Sequence, residues 1–238
     1  MLIVLRSLVF NIMLWVTSIV MMIALLPTLL LPKFPALIPG IWGGVCGWVL
    51  KIFGGISYHV EGRENLPKGA FIVASKHQSA WETMAYGHIF KKTVFILKKE
   101  LLYFVPINFY MIKTGMIPLD RKGGKKALQD MLERARETFK QNRPIVIFPE
   151  GTRTAVGQKA PYKKGVYTLY KHLEKPVVPV ALNSGLYWKR RGFKKYPGTI
   201  QVKIMPPIQP GLSREEFMKT LETTIETESQ KLINEAKK

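Results

Sequence analysis

The stretch AFIVASKHQSAWETM, Ala70 to Met84, holds two different patterns in fifteen residues. Its first half is a short apolar run rich in β-formers, the length of a buried strand. Its second half is polar at Ser75–Ser79 and then turns to Trp81, Glu82 and Met84. That order predicts strand, loop, then a helix beginning near Ser79. The same strand pattern recurs in TVFILK (93–98), PIVIFP (144–149), KPVVPVAL (175–182) and TIQVKIM (199–205). Between two of these lies GGKKALQDMLERARETFKQN. There Leu128, Met131, Leu132, Ala135 and Phe139 repeat at helical spacing, with charges on the other face. Tyr162 to Leu173 reads as another short helix. Ser213 and Glu216 form a capping-box pattern ahead of Phe217, Leu221 and Ile225. Strands separated by helices predict an α/β fold: a central, mostly parallel or mixed sheet flanked by helices.

The region before this has another character. No residue between Arg6 and Lys33 is charged, and the run is longer than the roughly 20 apolar residues that cross a bilayer as a helix. No small-residue cleavage pattern follows it, so a retained anchor is expected rather than a signal peptide. The alternative is a buried core helix, which ordinarily carries a polar stripe. A second uncharged stretch, Phe34 to Leu50, is interrupted by Pro35, Pro39 and several glycines. It fits an interfacial or re-entrant segment at least as well as a straight span. The expected division is residues 1–57 as membrane-anchoring helices and 58–238 as a catalytic domain.

The chain carries 36 Lys and Arg against 16 Asp and Glu, a formal net charge of +20. Such a surplus calls for an acidic partner: nucleic acid, an anionic membrane, or a phosphorylated substrate. The basic residues cluster at Lys91–Lys99, at Arg121–Lys126 and at Lys189–Lys195, and most are expected to be solvated surface. No nucleic-acid-binding motif is present, and a long anchor argues against that class. Cys46 is the single cysteine, so neither an internal disulfide nor a multi-cysteine metal site is possible. There is no HExxH, no Walker loop and no GxSxG elbow, so neither a metal nor a bound cofactor is expected.

Three short stretches can carry chemistry. His77, one of four histidines, stands five residues before Glu82. Within one helix that spacing is about 140° out of phase, so the two meet only if His77 lies in the loop before the helix. A carboxylate on one ring nitrogen would leave the other as a general base. The plainer reading is a solvated loop histidine. FPEGTRT, Phe148 to Thr154, follows a strand. Gly151 lets backbone approach a ligand, Thr152 and Arg153 offer a hydroxyl and a guanidinium suited to phosphate, and Glu150 could orient that arginine. An ordinary turn with a surface ion pair is the competing reading. In KTGMIPLDRKGG, Lys113 to Gly124, Arg121 sits just before a helix start, a place that favours anions.

In this order the blocks resemble the glycerolipid acyltransferase family, and most of all its bacterial 1-acyl-glycerol-3-phosphate acyltransferases. HQSAWE, His77 to Glu82, is similar to the family's His-x4-Asp block, with Glu in place of Asp. Gly115 to Arg121 matches the arginine-containing second block, with Pro118 where a larger apolar residue is usual. FPEGTR is reproduced in full, and Val177–Val180 matches a hydrophobic block with an internal proline. The resemblance implies transfer of an acyl chain from acyl-CoA or acyl-ACP to the sn-2 hydroxyl of lysophosphatidic acid, giving phosphatidic acid. It implies His77 as general base, oriented by Glu82. Arg121, Arg153, Gly151 and Thr152 would hold the acceptor phosphate, with Lys98 adding charge and Glu150 positioning the loop. The expected location is the inner, cytoplasmic membrane, with the catalytic domain on its cytoplasmic face. The alternatives are an acyltransferase for another lyso-lipid and a non-catalytic protein bound to anionic lipid.

Overall fold

A computed structural model describes residues 1–237. Two long apolar helices come first, α1 (Leu2–Leu25) and α2 (Ile38–Val49), and α2 runs on through a π-helical turn at Leu50–Gly54. The strands are β1 (Ile56–Glu61), β2 (Ile72–Ser75), β3 (Val94–Lys98), β4 (Ile117–Leu119), β5 (Ile145–Ile147), β6 (Val177–Leu182) and β7 (Gly198–Ile204). Helices α3 (Trp81–Ile89), α4 (Ile107–Lys113), α5 (Gly124–Lys140), α6 (Gly165–Leu173) and α7 (Arg214–Glu235) cover them. The seven strands form one sheet in the order β1-β7-β6-β2-β5-β3-β4. Every neighbouring pair is parallel except β6 with β7, so the sheet is mixed.

Alternation along the strands divides the core into two layers. Val73, Val146, Val178 and Val180 face α1, α2 and α3. Ile72, Ala74, Ile145, Ile147, Val177 and Ala181 face α5, α6 and α7. A period of two on a sheet covered on both faces explains why β2, β5 and β6 read as unbroken apolar runs. Two strands were not anticipated. β1 lies at one edge with only its first residue buried, so it lacks a core-strand signature. β4 has three residues and contains Pro118, which the opposite edge of the sheet tolerates because its missing N–H would have no partner there.

The N-terminal helices pack onto the sheet layer. Phe10 is fully buried, edge-on to Trp188 with ring centroids 5.4 Å apart. The glycines expected to break the second segment instead let α2 approach α3. A Cβ on Gly43 would lie 2.3 Å from the Met84 carbonyl oxygen, and one on Gly87 would lie 2.5 Å from that of Pro39. The outer side of α1 stays apolar and exposed along its length, at Leu8, Trp15, Val16, Ile19, Val20 and Ile23. By length and composition both Leu2–Leu30 and Pro35–Gly54 are able to cross a membrane. Of the third basic cluster, Lys195 departs from the expected solvated surface. It is buried over the Trp188 ring, 4.8 Å from the centroid, and its Nζ donates to the Phe193 and Gly192 carbonyls at 2.7 and 3.2 Å.

Candidate active site

Three loops converge outside the carboxyl ends of the central strands, where open α/β sheets take their ligands. The loop after β2 carries His77, the loop after β5 carries Phe148–Thr154, and the turn after β6 carries Ser184. The first is pinned to each of the other two. Lys76 N donates to the Val180 carbonyl at 3.0 Å, and Thr154 N donates to the His77 carbonyl at 2.7 Å. Gly185 N donates to Gln78 Oε1 at 3.0 Å. Beneath them the Ser75 and Tyr86 hydroxyls meet at 2.6 Å.

His77 lies in the loop and Glu82 in the first turn of α3, as their spacing requires. The two join at 3.0 Å between Nδ1 and Oε2. Glu82 is fully buried and also accepts from the Ser79 backbone N–H at 2.9 Å and from the Ser184 hydroxyl. Three donors suit an acceptor-only carboxylate, and the N-terminus of α3 favours negative charge there. With Glu82 as its acceptor, Nδ1 carries the proton and Nε2 keeps its lone pair. The imidazole is clamped from one side by the Phe148 ring, with centroids 3.8 Å apart and planes 14° from parallel. Ser79 is occupied structurally, its Oγ accepting from the Trp81 backbone N–H at 3.1 Å.

Glu150 does not orient Arg153. It is buried, and its Oε2 accepts from the His77 backbone N–H at 2.8 Å. Its Oε1 lies 2.7 Å from Lys76 Nζ, a close ion pair off the line of a directed hydrogen bond. The same ammonium donates to both oxygens of Glu226 on α7, at 2.7 and 2.9 Å, and the Tyr162 hydroxyl donates to Glu226 Oε1 at 3.0 Å. Burial pushes the Glu150 carboxyl above its ordinary range, with Lys76 pulling the other way. Lys76, Glu226 and Ser184 had no sequence signal. Lys76 and Glu226 are 150 residues apart, and nothing local marks them as partners.

One cavity of about 1230 Å³ joins these parts. His77, Phe148 and Glu150 line it. So do Lys98, Arg121, Gly151, Thr152, Arg153 and also Lys163, which the sequence reading did not single out. Gly151 has φ +68°, a conformation that favours glycine. Neither Arg121 nor Arg153 is ion-paired among the described residues, whereas Lys98 is held by Glu100 at 3.2 Å. The rest of the wall is apolar and reaches Leu14, Trp15, Ile19 and Met22 of α1. The arrangement can offer a proton acceptor, unpaired cations for an anionic group, and a largely apolar wall for a hydrocarbon chain.

Comparison with known proteins fits this geometry. The Acyltransferase family profile matches residues 57–183, which include every motif residue above. The 1-acyl-sn-glycerol-3-phosphate acyltransferase of Pseudomonas aeruginosa is 39% identical over 165 residues, covering 69% of this chain and 64% of that protein. The protein of the same name from Limnanthes alba is 31% identical over 191 residues, 79% of this chain and 66% of that one. The matched part thus spans just under two thirds of the length of these curated relatives. The crystal structure of the 1-acyl-sn-glycerophosphate (LPA) acyltransferase from Thermotoga maritima superposes with a TM-score of 0.79. It is 25% identical, and the match covers 97% of this chain and 95% of that one.

Proposed function

The chain belongs to the Acyltransferase family, and we propose that it transfers a fatty acyl chain from a thioester to the sn-2 hydroxyl of lysophosphatidic acid, giving phosphatidic acid. The donor is acyl-CoA or acyl carrier protein. The single observation that carries this reading is that His77, bonded to the buried Glu82, lines one cavity with the unpaired Arg121 and Arg153 and with apolar walls reaching α1.

The acceptor hydroxyl is the nucleophile. As its oxygen attacks the thioester carbonyl, Nε2 of His77 takes the proton. Glu82 stabilises the imidazolium through Nδ1. The tetrahedral intermediate then expels the thiolate, which recovers the proton from His77, so the C–S bond breaks as the C–O ester forms. No acyl-enzyme is required. Arg121 and Arg153 bind the phosphate, whose oxygens match their planar forks. Gly151 and Thr152 supply close contacts, and Lys98 and Lys163 add positive charge. Glu150 and Lys76 are positioning residues, holding the His77 backbone from behind.

Residues 1–57 serve as the membrane anchor and 58–238 as the catalytic domain, on the cytoplasmic face of the inner membrane. Acceptor and product then remain in the bilayer. The basic surface draws an acidic donor, an attraction that weakens with salt.

The test is phosphatidic acid formation in mild detergent from lysophosphatidic acid, with acyl-CoA and with acyl carrier protein in separate reactions. Product with either donor supports the reading, and the ratio of the two rates identifies the donor. Product only from a lyso-lipid lacking the phosphomonoester would reassign the acceptor. A folded sample inactive with every lyso-lipid would leave a lipid-binding protein without catalysis.

A further inference from the structure

Outside the N-terminal helices, exposed large apolar side chains are concentrated in one place. Of the nine such residues after Ile52 among the described residues, seven fall between Leu101 and Ile112; the others are Phe193 and Leu212. Scattered exposed apolar residues need no explanation, but a contiguous patch does. The sequence LLYFVPINFYMI has no charge across twelve residues, with Lys98, Lys99 and Glu100 before it and Lys113 after it. It forms a 3-10 turn at Lys99–Tyr103 and then α4.

This segment has two sides. Leu101, Val105, Pro106, Ile107, Tyr110 and Met111 line the cavity. Tyr103, Phe104, Phe109 and Ile112 do not, and they are 72, 62, 55 and 60% exposed. The segment is joined to α1 by a hydrogen bond from the Tyr110 hydroxyl to the Met22 carbonyl. α1 and α4 are therefore neighbours, and both line the cavity.

We infer that Leu101–Ile112 is a third membrane-inserted element, separate from the two N-terminal helices, and that with α1 it frames the opening through which lipid enters the cavity. The occupant of this surface is the bilayer. Aromatic side chains sit well at the headgroup boundary, and flanking lysines extend their charge back to the lipid surface. Lys98 and Lys99 are paired with Glu100 and Asp120, and Lys113, without an ion pair among the described residues, matches anionic headgroups. A lysolipid passing between α1 and α4 keeps its chain in apolar surroundings from bilayer to cavity. The role of the opening rests on the acyltransferase reading; the insertion does not.

The test uses the full chain in vesicles of phosphatidylcholine and phosphatidylglycerol. Cys46→Ala removes the native thiol, and a nitroxide is placed in turn at Phe104→Cys, Phe109→Cys and Leu212→Cys. Leu212 is an exposed apolar reference beside Tyr170, in the layer on the other face of the sheet. Collision with dissolved oxygen, which concentrates in the bilayer, is compared with collision with a water-borne nickel chelate. The oxygen-to-nickel ratio at residues 104 and 109 is expected to exceed that at 212 by about tenfold, as insertion beyond the headgroups requires. Equal ratios would overturn the inference, and so would spin–spin broadening showing that a second copy covers the patch. Phe104→Glu with Phe109→Glu then tests the opening. Turnover of vesicle-borne lysolipid should fall by about tenfold or more, while detergent-dispersed lysolipid is turned over at the wild-type rate. Equal loss in both formats would overturn the entrance. A wild type inactive in both formats would count against the acyltransferase reading alone, because the nitroxide ratios do not depend on turnover.

Discussion

The loop that holds His77 and the rim that holds Arg121 and Arg153 line the same cavity and are built in opposite ways. Around His77 the polar groups are paired within the protein: Nδ1 on Glu82, the backbone N–H on Glu150, the carbonyl with Thr154. On the rim Arg121 is exposed, and both guanidiniums are without an ion pair among the described residues. A base must be aimed before substrate arrives, since a shift of about 1 Å at a reacting group costs about 10²-fold in rate. A phosphate clamp can be completed by the phosphate itself. Orientation is thus fixed in the fold, and affinity is left to the ligand.

This contrast sets what each variant should do. Glu82→Ala removes the buried acceptor of Nδ1, Ser79 N and Ser184 Oγ together. Turnover should fall by about 10²- to 10³-fold with KM little changed, as for loss of a group acting in the transition state. Steady-state kinetics check this. A parallel rise in KM would mean that Glu82 shapes the acceptor site instead.

Lys76→Met leaves Glu150 and Glu226 without their shared cation. Breaking a buried pair in this way costs about 3 kcal/mol or more. The loss should be seen by denaturant unfolding in detergent, and it should depend on pH. The folded-state pKa of Glu150 is already raised by burial and rises further without Lys76. A raised carboxyl binds more protons folded than unfolded, so stability falls as pH climbs from the ordinary carboxylate value through the folded one. The variant should therefore recover stability on acidification, and a pH-independent deficit would break the argument.

Arg153→Ala should raise KM for a phosphate-bearing acceptor by about 10- to 50-fold, the loss of one charge-assisted hydrogen-bonded contact, with kcat nearly unchanged. Comparison with a lyso-lipid lacking the phosphomonoester sharpens this, because its KM should not move.

The smallest effect belongs to Lys195, away from both regions. Burial lowers its pKa to about 8. Between about 8 and its ordinary value the unfolded chain binds the extra proton, so stability should rise with pH across that window. Lys195→Met should flatten that rise in the unfolding midpoint.

What the sequence revealed follows from distance along the chain. β2, β5 and β6 announced themselves because strands covered on both faces are apolar throughout, β3 because its run is apolar up to Lys98, and β7 because every second residue is buried. For His77 and Glu82 the five-residue spacing left a solvated histidine and a pair both open, and the resemblance of HQSAWE to the family's His-x4-Asp block selected the pair. The edge strands β1 and β4 carry too little buried surface to show. Gly43 read as a helix breaker because a glycine's neighbour across a helix–helix contact is invisible locally. Lys76 with Glu226, and Glu82 with Ser184, are contacts of 150 and 102 residues' separation that only the folded chain brings together. Of the two roles open to Glu150, its contacts with the His77 backbone and Lys76 fit positioning of the loop rather than pairing with Arg153.

The central claim is that His77 is the base for attack by the acceptor hydroxyl. The most direct measurement is the rate of phosphatidic acid formation by wild type and by His77→Ala, both folded and saturated with lysophosphatidic acid and donor. The account expects the variant's kcat to be lower by about 10²- to 10⁴-fold, the range supplied by a positioned general base. A variant that keeps more than about a tenth of wild-type turnover would contradict it, because so small a loss falls outside that range.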